Sequence, residues 1–165
     1  LRRRAVAPSG EQGPRAAATF RPRCTGEPGY GYAGSSFYRI VGGLTLQAGE
    51  IRGGAAGDSA PGRAALGATF EHDNMAIKHN VAGLVSMSNS ALGGGGTQSD
   101  SRFLIQLPDD AAFLDGRYEA FGRVSDGMDV ISAIARVPVS GTKNMPKVPV
   151  RIVASGELQS PDTPR

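Results

Sequence analysis

The sequence predicts a mainly β domain, a small barrel with two helical caps. Three observations carry that reading. Six short strand-like runs are separated by Gly- and Pro-rich turns. Only one segment shows a clear helical stripe, with a second, shorter helix start before it. Glycine makes up 24 of 165 residues, about twice the usual share, so tight loops should be numerous.

Taken in order, residues 1–13 carry no periodicity and read as a basic, disordered leader. Residues 14–19 open a helix, because Pro14 is tolerated at a first helical position. Pro22 should stop or kink it. Strand-like runs follow at 36–41, 44–48, 83–88, 102–107, 119–124 and 148–154. Residues 126–136 form the clear helix, with Asp126 placed to cap it. Met128, Ile131, Ile134 and Ala135 recur at helical spacing and read as core. The last strand-like run closes the domain, which is taken as 14–158 with 159–165 as a tail; the bound at 158 is what the resemblance described below implies. Six strands and two short helices suit a small barrel.

Composition narrows the function. Apolar content of 39% and charged content of 20% fit one ordinary domain with one core. No run approaches the roughly 18 apolar residues that a membrane helix needs. Cys24 is the sole cysteine, which excludes an internal disulfide, and no CxxC or Cys/His cluster points to a metal. Residues 1–23 carry six arginines against Glu11 alone, a charge of +5, within a total of +3; the rest of the chain sums to −2. The basicity belongs to the leader, so a nucleic-acid face on the domain is not expected. An Arg-, Ala- and Pro-rich leader resembles the end of an organelle transit peptide or a disordered extension. The chain opens without a methionine, which fits a processed or partly represented protein.

The residues that carry chemistry lie in 29–49, GYGYAGSSFYRIVGGLTLQAG. Side chains alternate along a strand, so Phe37, Arg39 and Val41 should share one face. A cation beside apolar neighbours is costly unless it has partners or a task. Gly42-Gly43 turns the chain and lets 44–47 run back, so Arg39 and the amide of Gln47 meet over an apolar floor. The plainer reading is a strand-edge arginine paired to a nearby carboxylate. The remaining motifs read as structure. Gly93 to Gly96 lacks the Lys-Ser/Thr of a phosphate cradle and reads as a mobile loop. His79 reads as structural, His72 as solvated, and Asp109-Asp110 as a turn or helix start.

The stretch CTGEPGYGYAGSSFYRIVGGLTLQAGE resembles the signature of the cyclophilins, the cyclosporin-binding peptidyl-prolyl isomerases. The likeness continues through FEHDNMAIKHNVAGLVSMSNS, SRFLIQ, FLDGRYEAFGRVSDGMDVI and VPVRIVASGEL, in family order, from about Pro14 to Leu158. It implies an antiparallel barrel of eight strands, about six of them visible here, closed by two helices. It implies an isomerase of X-Pro bonds in proline-containing polypeptides that assists folding and needs no cofactor. The family has two strands before its first helix. Here the leader supplies a poor substitute, another chain completes the barrel, or the native N-terminus lies upstream.

By the same resemblance, Arg39 donates toward the prolyl nitrogen and Gln47 holds Arg39 or the peptide carbonyl. The proline pocket matches Leu44, Thr45, Leu104 and Leu114. Leu44 and Leu104 stand where phenylalanines are usual, and Thr45 where Met is usual. Phe113 matches the tryptophan that contacts cyclosporin, Tyr118 a pocket histidine, and Arg102 a glutamine. Tyr38 replaces a histidine beside the arginine. Ser88, Asn89 and Ser90 match the segment that pairs with the substrate backbone. The altered pocket implies reduced turnover and weak cyclosporin binding. With the unusual N-terminus, it leaves a second reading: a non-catalytic scaffold or subunit of a large complex. The leader implies an organelle, the chloroplast lumen or stroma first, with the cytoplasm as alternative.

Overall fold

The computed structural model describes residues 5–8, 13–27, 29–51, 69–89 and 98–158. Its elements in chain order are β1 (Ala5–Pro8), α1 (Pro14–Thr25), β2 (Arg39–Val41), β3 (Thr45–Ala48), β4 (Phe70–Glu71), β5 (Leu84–Asn89), β6 (Gln98–Gln106), β7 (Glu119–Asp126), α2 (Met128–Ile134), β8 (Val139–Ser140) and β9 (Met145–Pro146). A 3₁₀ turn, Ala112–Leu114, precedes β7.

Strand alternation decides what lies inside. Ile40, Leu46, Ala48, Val85, Met87, Phe103, Ile105, Phe121 and Val124 point one way and form a single buried cluster. Residues between them, such as Gln47, Ser86 and Leu104, face the other way. The sheet runs β1-β7-β5-β6-β3-β2, with β4 on β6, and every pairing in it is antiparallel. Elements from its whole length reach one core: Val6 of β1, Phe20 of α1, Ile40 of β2 and Ile131 of α2. The sheet therefore curls round that core with two helices against it, a mainly β fold as expected. Among the described residues no ladder joins β1 to β2. Phe20 packs its ring 5.0 Å from that of Phe121, which seats α1 on β7.

Several local expectations need correction. The leader is not irregular throughout, because Ala5–Pro8 forms β1 and pairs antiparallel with β7. Gly122 permits this close approach, since a Cβ there would lie 2.8 Å from the carbonyl oxygen of Ala7. Pro22 does not stop α1, which continues to Thr25 and closes on Gly26, at φ 77°, whose N–H bonds the Pro22 carbonyl at 2.8 Å. Asp126 does not cap α2; it ends β7, and Gly127 at φ 92° holds the cap position. Segment 148–154 forms no full strand, only a bridge between Ser36 and Arg151. No helix among the described residues is long and apolar enough to cross a membrane.

Candidate active site

Gly43 at φ 75° turns β2 into β3, with the Leu44 N–H on the Val41 carbonyl at 2.9 Å. The register sets Arg39 opposite Gln47. Gln47 is opposite Leu104 in β6, and Leu104 opposite Ser86 in β5. One row of outward side chains, Arg39–Gln47–Leu104–Ser86, thus crosses four strands over about 14 Å. The expectation that Phe37 shares the face of Arg39 fails. The ladder begins only at Arg39, so alternation does not extend back to Phe37, which is buried in the core.

The 3₁₀ turn brings Phe113, Leu114 and the following Tyr118 against this row. Leu104, Ala111 and Leu114 form a second small apolar cluster with Tyr118 packed on it. The result is a groove of about 150 Å³, lined by Arg39, Val41, Leu44, Thr45, Gln47, Leu104, Phe113, Leu114 and Tyr118. An apolar hollow of about that size holds a benzene ring, so a five-membered proline ring fits. Arg39 is exposed and makes no side-chain hydrogen bond or ion pair among the described residues. The paired-arginine reading therefore fails: this guanidinium is left open at the rim of the groove.

Eight of the nine lining residues were expected from the sequence; Val41 was not. Ser88 and Asn89 end β5 beside the groove without lining it. The β5–β6 register slips between Met87 and Asn89, and the Asn89 Nδ2 donates to the Arg117 carbonyl at 3.3 Å. Arg102 lies two residues before Leu104 and is clamped by Asp100, with Nε–Oδ2 at 2.9 Å and Nη2–Oδ2 at 2.6 Å. That hydrogen bonding raises its pKa further. Tyr38 is half-buried and its hydroxyl faces Ser88; burial pushes the phenol up. Ser90 and the Gly93–Gly96 run lie outside the described residues.

The groove wall has a support that sequence reasoning missed. The His79 N–H donates to Asp115 Oδ1 at 2.8 Å, and its ring places Nδ1 3.0 Å from the same oxygen and Nε2 2.9 Å from Ser86 Oγ. The His79 carbonyl accepts from the Ala111 N–H at 2.8 Å and from Gln106 Nε2 at 3.1 Å. Bonds from His79, together with Lys78, hold the Asp115 carboxyl below the usual range. Ser86, His79 and Asp115 are chained like a hydrolytic triad, but Ser86 and His79 are fully buried, so no substrate reaches them. Their task is to fix the turn that carries Phe113 and Leu114.

Residues 9–157 match the family model described as cyclophilin-type peptidyl-prolyl cis-trans isomerase/CLD. The chain belongs to the cyclophilin family. This cyclophilin is similar to the peptidyl-prolyl cis-trans isomerase H of Mycosarcoma maydis, 37% identical over 150 residues that cover 88% of the chain and 90% of that protein. The activity is peptidyl-prolyl cis–trans isomerisation, and the substrates are proline-containing polypeptides.

Proposed function

We propose that Arg39 is the catalytic donor of this isomerase and that the groove beside it receives the proline ring. The observation that carries this reading is an open guanidinium at the mouth of a ring-sized hollow. Amide resonance gives the X-Pro bond a rotational barrier of roughly 20 kcal/mol. Twisting it makes the nitrogen pyramidal and frees a lone pair. A donor aimed at that lone pair binds the twisted state better than the planar one, which is the requirement for catalysis. Gln47, opposite Arg39 in the ladder, holds the peptide carbonyl; no side-chain bond joins it to Arg39 among the described residues. Leu44, Thr45, Leu104 and Leu114 surround the ring, and Phe113 and Tyr118 line the outer wall.

A charge-assisted bond contributes about 1.5–3 kcal/mol. Arg39→Ala should therefore lower kcat/KM about 10- to 150-fold. The assay is protease-coupled turnover of an Ala-Pro-Phe peptide, with a melting curve to show that the fold is intact. A wild-type rate that does not depend on Arg39 sinks the assignment.

The drifted pocket supports a second reading, in which the chain works mainly as a binding subunit of a larger assembly with slow turnover. The loss of ring faces at Leu44 and Leu104 supports this, and with it weak cyclosporin affinity. A single mass in cell extract equal to that of the free chain would overturn the assembly reading. The Arg-rich, acid-poor first residues support an organellar destination, the chloroplast; a fluorescent fusion retained in the cytosol would refute that.

A further inference from the structure

On its β2 side the groove is bordered by a cationic turn. Hairpin β8–β9 folds back through Gly141 at φ 67° and Asn144 at φ 52°, with the Asn144 N–H on the Gly141 carbonyl at 3.3 Å. The Ile40 N–H donates to the Asn144 carbonyl at 2.9 Å. That N–H belongs to the peptide unit joining Arg39 to Ile40, so the bond seats the 141–144 turn beside the proposed donor. Lys143 lies in this turn and is exposed. A second cation arrives from the end of α2. A Cβ on Gly42 would lie 3.8 Å from the Ala135 carbonyl oxygen. The exposed Arg136 therefore follows on from a contact with the β2–β3 turn, whose Leu44 lines the groove.

Neither cation is neutralised. Lys143 and Arg136 make no side-chain hydrogen bond or ion pair among the described residues, and residues 130–156 contain no Asp or Glu. Other arginines are tied down: Arg102 by Asp100, Arg15 by Asp73 and Arg21 by Glu157. The chain beyond residue 23 sums to −2, so the positive charge here is local and does not reflect the domain as a whole. Arg39 adds its own charge at the same end of the groove. A polypeptide leaving the groove over β2 therefore meets three cations with no carboxylate of the protein's own among them. Like charges on that polypeptide are repelled and opposite ones held.

We infer that Lys143 and Arg136 make this isomerase selective for polypeptides that carry carboxylates on one side of the proline. The inference rests on the placing of the proline ring in the groove beside Arg39. The reach follows from strand spacing. From Leu104 in β6, through β3 and β2, to the 141–144 turn is three spacings, about 14 Å. An extended chain covers that in about four residues. The favoured substrates are thus X-Pro segments with Asp or Glu within about four residues of the proline, at the end that passes over β2.

Exchange NMR on capped peptides with one Ala-Pro bond gives kcat/KM for alanine flanks, for glutamates before the proline, for glutamates after it, and for lysines in the same places. Glutamates on one side should raise kcat/KM about 2- to 10-fold over alanine, and lysines there should lower it. Salt at about 0.5 M should erase the difference. Lys143→Glu should cut the glutamate-to-alanine ratio about fivefold, and Arg136→Glu should cut it further. The acidic peptide should also shift the Lys143 and Asn144 amides of the ¹⁵N-labelled full chain. An equal gain from glutamates on both sides, an unchanged ratio in Lys143→Glu, or shifts that spare the turn overturns the inference. So does oligouridine displacing the peptide from these amides. The alanine peptide with Arg39→Ala tests the groove separately. If its rate does not depend on Arg39, that assignment falls, and the shifts at 141–144 still decide the selectivity.

Discussion

Glu119 is a carboxylate with no solvent exposure at the start of β7. Its Oε1 accepts two long bonds, from the Asp73 N–H at 3.3 Å and the Asn74 N–H at 3.2 Å, and its Oε2 has no partner among the described residues. Asp73 faces it from the segment before β5, and Arg15 from α1. Burial pushes its pKa up, Asp73 adds to that, and the two backbone bonds and Arg15 oppose it. The sign follows. Below the ordinary carboxylate pKa both folded and unfolded chains hold the proton, and stability is full. As pH rises past that value the unfolded chain releases its proton while the fold retains it, so stability falls until the folded pKa is passed. Glu119→Gln keeps the Oε1 acceptor and removes the charge. An unsatisfied buried acceptor costs about 1–3 kcal/mol, more when charged. At about pH 8 the variant should therefore be more stable by about 1–3 kcal/mol, or roughly 2–10 °C in Tm for a chain of this size. Near pH 4 the two proteins should melt together. Thermal melts across that range are the assay. A gap that does not change with pH, or a less stable variant at pH 8, would refute the reasoning.

Asp115→Ala should cost about 1–3 kcal/mol of stability by orphaning the His79 donors, and it should raise KM more than it lowers kcat, with partial rescue by Asn. Burial pushes the Cys24 thiol up to about 12, so the folded chain should resist a disulfide reagent at about pH 8 and react only on unfolding. Leu104→Phe adds a ring face worth about 0.5–1.5 kcal/mol; kcat/KM on an Ala-Pro peptide should rise about 2- to 10-fold, and an unchanged or lower value would show that the groove is not limited by its apolar half.

What the sequence disclosed was what short-range periodicity encodes. The Gly42-Gly43 turn and the alternation of Thr45, Leu46, Gln47 and Ala48 were enough to place Arg39 opposite Gln47, and the resemblance supplied the rest of the lining. Alternation misled at Phe37, because it holds only within a ladder and the ladder starts at Arg39. Pro22 misled as a stop, because a proline late in a helix removes one donor without closing the last turn. β1, β8 and β9 run to four residues or fewer, too short for a period to show. The His79–Asp115 contact spans 36 positions, and the unpartnered oxygen of Glu119 exists only once the fold is formed. No local pattern carries either.

The row Arg39–Gln47–Leu104–Ser86 lies back to back with the core on the same strands. Leu46 and Ala48 share β3 with Thr45 and Gln47, and Phe103 and Ile105 flank Leu104. Each strand therefore serves two masters that do not touch. Substitutions at the outward positions that line the groove, Arg39 and Gln47, leave the interior packing in place, whereas Ser86 in the same row holds His79 and belongs to the support of the groove wall. Leu44, Thr45 and Leu104 line the groove, while the inward set is an unbroken apolar cluster. Such a scaffold lets selection retune substrate choice one position at a time, with the integrity of the fold held constant.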